Sequence, residues 1–193
     1  MTTTRTRPEP STSDALAAPK QHLSEGARWR TAANGPPLDA EDVQLYPRPP
    51  QVQKVPQRIR IIVDGIEIVN TFSALRICET HHAPTYYIPP SDVFDGVLVP
   101  ARLRGTFCEY KGRASYYDLK VGGMICPSAA WTYTHPCATF AKIAGCVAFY
   151  ANQLDAAFVG DVRATAQPGG FYGGWVTPNL KGVVKGEKGT EHW

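Results

Sequence analysis

Residues 58–70 read RIRIIVDGIEIVN, and the fold class turns on this stretch. Ile59, Ile61 and Val63 recur at every second position up to Asp64-Gly65, and Ile66 and Ile68 do so beyond it. A period of two belongs to a strand with one buried face, and an Asp-Gly pair supplies the positive φ values of a tight antiparallel turn. Pairing Val63 with Ile66 and Ile61 with Ile68 puts all these branched side chains on one face, which the pattern assigns to the core.

Short strand-like runs continue outward: SALRICE, TYYIP, GVLVPARL, TFCEY, ASYYDLKV, AAWTY, CVAFY and DAAFV, divided by Pro-Pro, Gly-Gly and Asn. Many short strands and few helices predict a mainly β single domain, a strongly bent antiparallel sheet of half-barrel type. One short helix is expected over Pro136–Ala144, with Pro136 in its first turn and Gly145 ending it. Residues 1–50 are rich in Pro, Ser, Thr and charge and read as a mostly irregular arm, with one short helix in HLSEGARWR pinned by Trp29. The run YPRPPQVQKVP, residues 46–56, reads as extended or polyproline-like. Residues 51–165 form the β-rich core. Residues 166–193, too glycine-rich for a regular element, wrap it through Phe171, Tyr172, Trp175 and Trp193.

The chain has 193 residues, 43% hydrophobic and 19% charged, which suits one core. Lys and Arg number 20 against 17 acidic residues, and a net charge of +3 is too small and scattered to imply nucleic acid. No apolar run approaches the ~20 residues of a membrane span, and MTTTRTRPEPSTSD lacks a secretory core, so a cytoplasmic location is expected. The five cysteines include no CxxC pair and the histidines no HxxxH spacing, so neither a metal nor another cofactor is expected.

Chemistry concentrates in two places. In RICETHHAPTYYIPPSDV, residues 76–93, alternation from Leu75 and Ile77 carries Glu79 inward, and a carboxylate aimed at a core needs a partner or a raised pKa. His82, Tyr86 and Tyr87 follow, a mixture suited to acid–base work near neutral pH. In TFCEYKGRASYYDL, residues 106–119, Lys111-Gly112 is either a hairpin turn that sets Cys108 opposite Ser115 and Thr106 opposite Tyr117, or a bulge that brings Tyr116 over to Cys108. Either way Lys111 sits at a bend, where its cation can swing over the rim of the sheet. Cys108 is a nucleophile only where Lys111 or His82 depresses its pKa. In AAWTYTHP, Trp131 and Tyr133 share a face and offer a planar wall. GGFYGG is no phosphate loop, because neither a helix nor GK[ST] follows it.

The ordered set ETHHAPTYYIPPSDV, TFCEYKGRASYYDL, AAWTYTHP and VAFYANQLDAAFV resembles the family catalogued as domain of unknown function 427, over roughly residues 50–165. The family's patterns fall on Glu79, His82, Pro84, Tyr86, Tyr87, Cys108, Lys111, Gly112, Ala114 and Tyr116, with Ala83 where proline is common. The resemblance implies a bent sheet similar to the β-tent of B-type methionine sulfoxide reductases and of cereblon's drug-binding domain. The zinc-holding CxxC pairs of those relatives are missing. It implies no established reaction. The label nucleotidyltransferase-like finds no support in the residues, since no Gly-Ser is followed by an Asp-x-Asp metal pair.

The expected function is therefore a small-molecule enzyme acting on an anionic or carbonyl-containing metabolite. Its catalytic residues are Glu79, His82, Lys111 and Cys108, and its substrate-binding residues Tyr87, Tyr116, Trp131 and Tyr133. The rivals are a non-catalytic module with an aromatic-lined pocket and a structural protein working through the Pro-rich arm. A homodimer is left open.

Overall fold

The structure, a computed structural model, describes residues 33–190. The expected helix around Trp29 and the expected anchor Trp193 lie outside the described residues.

The predicted hairpin forms. Ile59–Val63 pairs antiparallel with Ile66–Thr71, Val63 sits opposite Ile66, and the two turn residues take φ values of 50° at Asp64 and 70° at Gly65. The register differs beyond the turn, because a bulge after Ile61 sets Ile61 opposite Val69 rather than Ile68. The extra residue rotates the strand locally, so that Ile68 and Val69 are both buried while Ile66, at the tip, is 42% exposed. Not all the branched residues share the core face.

This hairpin lies in a five-stranded sheet with the order Trp175–Val176, Val162–Ala166, Ala156–Val159, Ile59–Val63 and Ile66–Thr71. A four-stranded sheet runs Val147–Phe149, Met124–Thr132, Ser115–Val121 and Leu98–Pro100, and a three-stranded one Gln51–Lys54, Leu75–Cys78 and Thr85–Tyr87. The last two are continuous. Ile88 and Val147 exchange backbone hydrogen bonds, each of 2.8 Å, across their facing edges. The result is a bent antiparallel surface that does not close into a barrel.

Alternation divides the four-stranded sheet between two cores. Leu119, Val121, Ala130, Val147 and Phe149 pack toward the hairpin residues Ile59, Ile61 and Val63. On the other face Ala114, Trp131, Tyr133 and Ala148 pack with Ile77, Tyr87, Phe140 and Ile143. The expected helix is a 3-10 helix over Ala138–Ile143, with Pro136 ahead of it rather than inside its first turn, and Gly145 at φ 72° follows its end.

The run read as extended or polyproline-like carries a strand, and the arm and tail read as irregular carry short ones. Gln51–Lys54 pairs with Leu75–Cys78, at an edge where the flanking prolines need not donate to a ladder. In the glycine-rich tail Trp175–Val176 extends the five-stranded sheet, and Leu180–Lys181 pairs in parallel with Glu41–Asp42 of the arm. Glycine lowers strand propensity, but here long-range pairing and the burial of Trp175 outweigh it. Trp175 is an anchor: its ring lies 5.0 Å from that of Tyr86 and its indole N–H donates to the Phe149 carbonyl at 2.9 Å. Phe171 is not an anchor, being 74% exposed.

Trp175→Ala is expected to cost about 3–5 kcal/mol in urea unfolding, through lost packing and an orphaned Phe149 carbonyl, and Phe171→Ala within about 0.5 kcal/mol of zero. Equal losses would contradict these placements.

Candidate functional site

The face of the bent surface turned away from the hairpin encloses a cavity of about 360 Å³. Its floor is aromatic because alternate positions of neighbouring strands point the same way: Tyr116 sits opposite Trp131, which in turn sits opposite Ala148. Ala148 leaves space there, and Tyr150 fills it, its ring 4.4 Å from Trp131 at 40°. Tyr87 arrives from the three-stranded sheet, 6.4 Å from Tyr133 between ring centres. Burial pushes the Tyr87, Tyr133 and Tyr150 phenols well above their usual range, so these are neutral at any physiological pH. The Tyr116 hydroxyl shares a 2.8 Å hydrogen bond with Thr106 Oγ1.

Glu79 and His82 stand at one rim. The strand Leu75–Cys78 ends, and a turn closed by His82 N–H donating to the Glu79 carbonyl at 2.9 Å places both side chains on the cavity. His81 takes a φ of 63° within that turn. Its N–H donates to the Val43 carbonyl at 2.9 Å and its carbonyl accepts from Lys185 N–H at 2.7 Å, so arm and tail together hold the turn in place.

Cys108 and Lys111 stand at the facing rim. Phe107–Cys108 pairs with Gly112–Arg113, Cys108 directly opposite Gly112, so the reversal is a three-residue turn over residues 109–111. Neither expected pairing of Cys108, with Ser115 or with Tyr116, occurs. Gly112 takes a φ of 95°, which a residue with a Cβ adopts only under strain. The Lys111 carbonyl accepts from Cys137 N–H at 3.2 Å, and its ammonium lies 5.9 Å from the centre of the Phe140 ring. The eight residues expected as catalytic or substrate-binding, Glu79, His82, Cys108, Lys111, Tyr87, Tyr116, Trp131 and Tyr133, all line this one cavity. Tyr86 instead turns into the other core against Trp175.

Comparison with known families places residues 51–160 under the model described as Domain of unknown function (DUF427). The chain belongs to this family. No curated protein matches it.

Part of the cavity of this DUF427 protein comes from beyond the matched residues. The tail contributes Gln167, Tyr172 and Lys185; the sequence marked Tyr172 only as an anchor of the tail and did not mark the other two. Gln167 is 2% exposed; its Oε1 accepts from Ala83 N–H at 3.2 Å, and its Nε2 lies 2.9 Å from the Lys185 carbonyl and 3.1 Å from His82 Nδ1. The Tyr172 ring meets the imidazole edge-on at 4.9 Å. Gly173 runs so close to Trp131 that a Cβ there would strike the indole. The sequence signal for this approach was the alternation of Val162, Ala164 and Ala166, a strand that delivers Gln167 at its end.

Arg48, Lys111 and Lys185 face Glu79 and Glu109 in the lining. Arg48 and Glu109 pair at 3.6 Å, both largely exposed, a contact of small energetic weight. Among the described residues no ion pair engages Lys111, Lys185 or Glu79. Burial lowers the His82 pKa from 6.5 to about 4, and the positive charges of Lys185, Lys111 and Arg48 push it the same way. The imidazole is neutral at pH 7. No cluster of three metal-ligating side chains occurs among the described residues, and no helix among them is long and apolar enough to cross a membrane.

An unfolded chain protonates this histidine near pH 6.5, the folded one only near 4. Falling pH therefore loads the proton on the unfolded state alone in that window, and stability drops from about pH 6.5 to about 4 with no further loss from this group below. The expected size is about 2 kcal/mol after discounting for partial exposure. Urea unfolding at pH 7 and 4.5 checks it: the wild type loses that much more than His82→Gln.

Proposed function

We propose that the cavity binds a small molecule through an anionic or carbonyl oxygen and carries out proton transfer next to it. The observation that carries this reading is the pair of lysines, Lys111 and Lys185, which line the cavity without an ion-pair partner among the described residues. Lysines in that position attract negative charge, and an aromatic floor accepts an apolar body. Glu79, also outside any ion pair, is the proton acceptor. Neutral His82 donates a hydrogen bond rather than removing a proton, and Lys111 stabilises the negative charge that develops on the substrate oxygen. Cys108 packs against the cluster that contains Tyr133 and has no step in this reading.

A second reading, a binding module without turnover, is favoured by the stack of Trp131 on Tyr150, a rigid apolar wall that needs no chemistry. Mass spectrometry of co-purifying molecules, followed by calorimetry with benzoate and 2-oxo acids, separates the two. Lys111→Ala and Lys185→Ala are expected to weaken binding about tenfold each, the weight of one charge-assisted hydrogen bond. For the enzyme Glu79→Gln keeps binding and loses product formation; for the module it changes neither, and Trp131→Phe weakens affinity.

A further inference from the structure

The orientation of the buried Gln167 amide is fixed twice over. Ala83 N–H is an obligate donor and the Lys185 carbonyl an obligate acceptor, so Oε1 must face the first at 3.2 Å and Nε2 the second at 2.9 Å. Flipping the amide would set donor against donor and acceptor against acceptor. Nε2 therefore also points a hydrogen at His82 Nδ1, 3.1 Å away, and that ring nitrogen must present a lone pair. The backbone holds the amide in turn: Gln167 N–H donates to the Gly174 carbonyl at 2.9 Å, and Gly174 leaves no room for a Cβ beside Oε1 and the Ala83 carbonyl.

We infer that Gln167 is a positioning residue that fixes His82 as the Nε2–H tautomer, so that the ligand atom meeting this imidazole must be a hydrogen-bond acceptor, a carbonyl or anionic oxygen. Nε2 has no partner among the described residues, although His82 lines the cavity, so its hydrogen is free for such an atom. A proton on Nδ1 would face the amide hydrogens of Gln167, which disfavours both the other tautomer and the imidazolium. The charged and titratable groups around the ring act in the same sense: Lys185 from the tail, Lys111 from the turn across the cavity, Arg48 from the arm and the titratable His81 beside it. Glu79 and Glu109 are the carboxylates of the lining, and the Tyr172 phenol packs on the ring edge. The tail thus sets the chemical character of a histidine that the DUF427 region supplies. The inference deepens the reading of the site as a binder of anionic or carbonyl oxygen.

Long-range proton–nitrogen correlation spectra of the full, ligand-free chain distinguish the two imidazole tautomers and follow their titration. The wild type is expected to show His82 protonated at Nε2 alone from pH 8 down to about pH 5. Gln167→Met removes the donor while keeping length and apolar volume; it is expected to populate the Nδ1–H form and to raise the titration midpoint by about one pH unit, a tenfold change in proton affinity. Gln167→Glu, which offers Nδ1 an acceptor, is expected to move the proton to Nδ1 and raise the midpoint further. A wild-type His82 protonated at Nδ1, or doubly protonated at pH 7, overturns the inference, as does a Gln167→Met spectrum identical to the wild type. Should Gln167→Glu fail to fold, the wild-type and Gln167→Met spectra decide. No ligand enters these measurements, so their failure leaves anion binding by Lys111 and Lys185 standing, and failure of that binding leaves the tautomer intact.

Discussion

The site depends on two hydrogen bonds, those exchanged between Ile88 and Val147. They close the seam between the three-stranded and four-stranded sheets, and so place Tyr87, one residue before the seam, beside Tyr133, which follows the neighbouring strand. The seam also brings the turn of Glu79 and His82, which follows a strand of the three-stranded sheet, to the same cavity as Tyr116 and Trp131 of the four-stranded one. With it, a single bent surface packs the larger core on the side facing the hairpin and an aromatic-rich cluster on the other. The two faces differ, since the hairpin side is filled by branched residues together with Tyr86, Phe149 and Trp175, while the other retains open volume.

The electrostatics follow from that geometry. A half-buried concave wall weakens solvation, so phenols and the imidazole stay neutral, whereas the ammonium groups of Lys111 and Lys185 keep access to water at the rims. The cavity therefore combines neutral aromatic and imidazole groups with the positive charge of Lys111 and Lys185. Glu79 and Glu109 are the exceptions in sign. Glu109 pairs with Arg48, whereas Glu79 forms no ion pair among the described residues.

Much of the fold was legible because alternation is a local property: Ile59, Ile61 and Val63 declare a strand whatever they pair with. The bulge after Ile61 was not legible, since it is a relation between two strands and only the pairing of Ile61 with Val69 reveals it. The same distinction governs the site. Glu79, His82, Cys108 and Lys111 stood out because polar residues interrupt an apolar period, and the structure brings them to one cavity. Gln167 and Lys185 interrupt nothing. Their positions come from contacts across the chain, Gln167 with Ala83 and Lys185 with His81, that no window of sequence contains.

The tail's glycines explain why such a segment can nevertheless be placed with care. Gly173 and Gly174 allow the backbone itself to lie against Trp131 and against Gln167, where any side chain would intrude. Close approach of backbone converts a flexible composition into a defined path once Trp175 is buried and its N–H donates to the Pro84 carbonyl at 2.9 Å. Trp175 thus fixes the far end of a short loop whose near end is Gln167, and the loop has little freedom left. A change at Trp175 therefore reaches the His82 region by two routes, along the loop to Gln167 and through Pro84 and Tyr86, which follow the histidine in the chain.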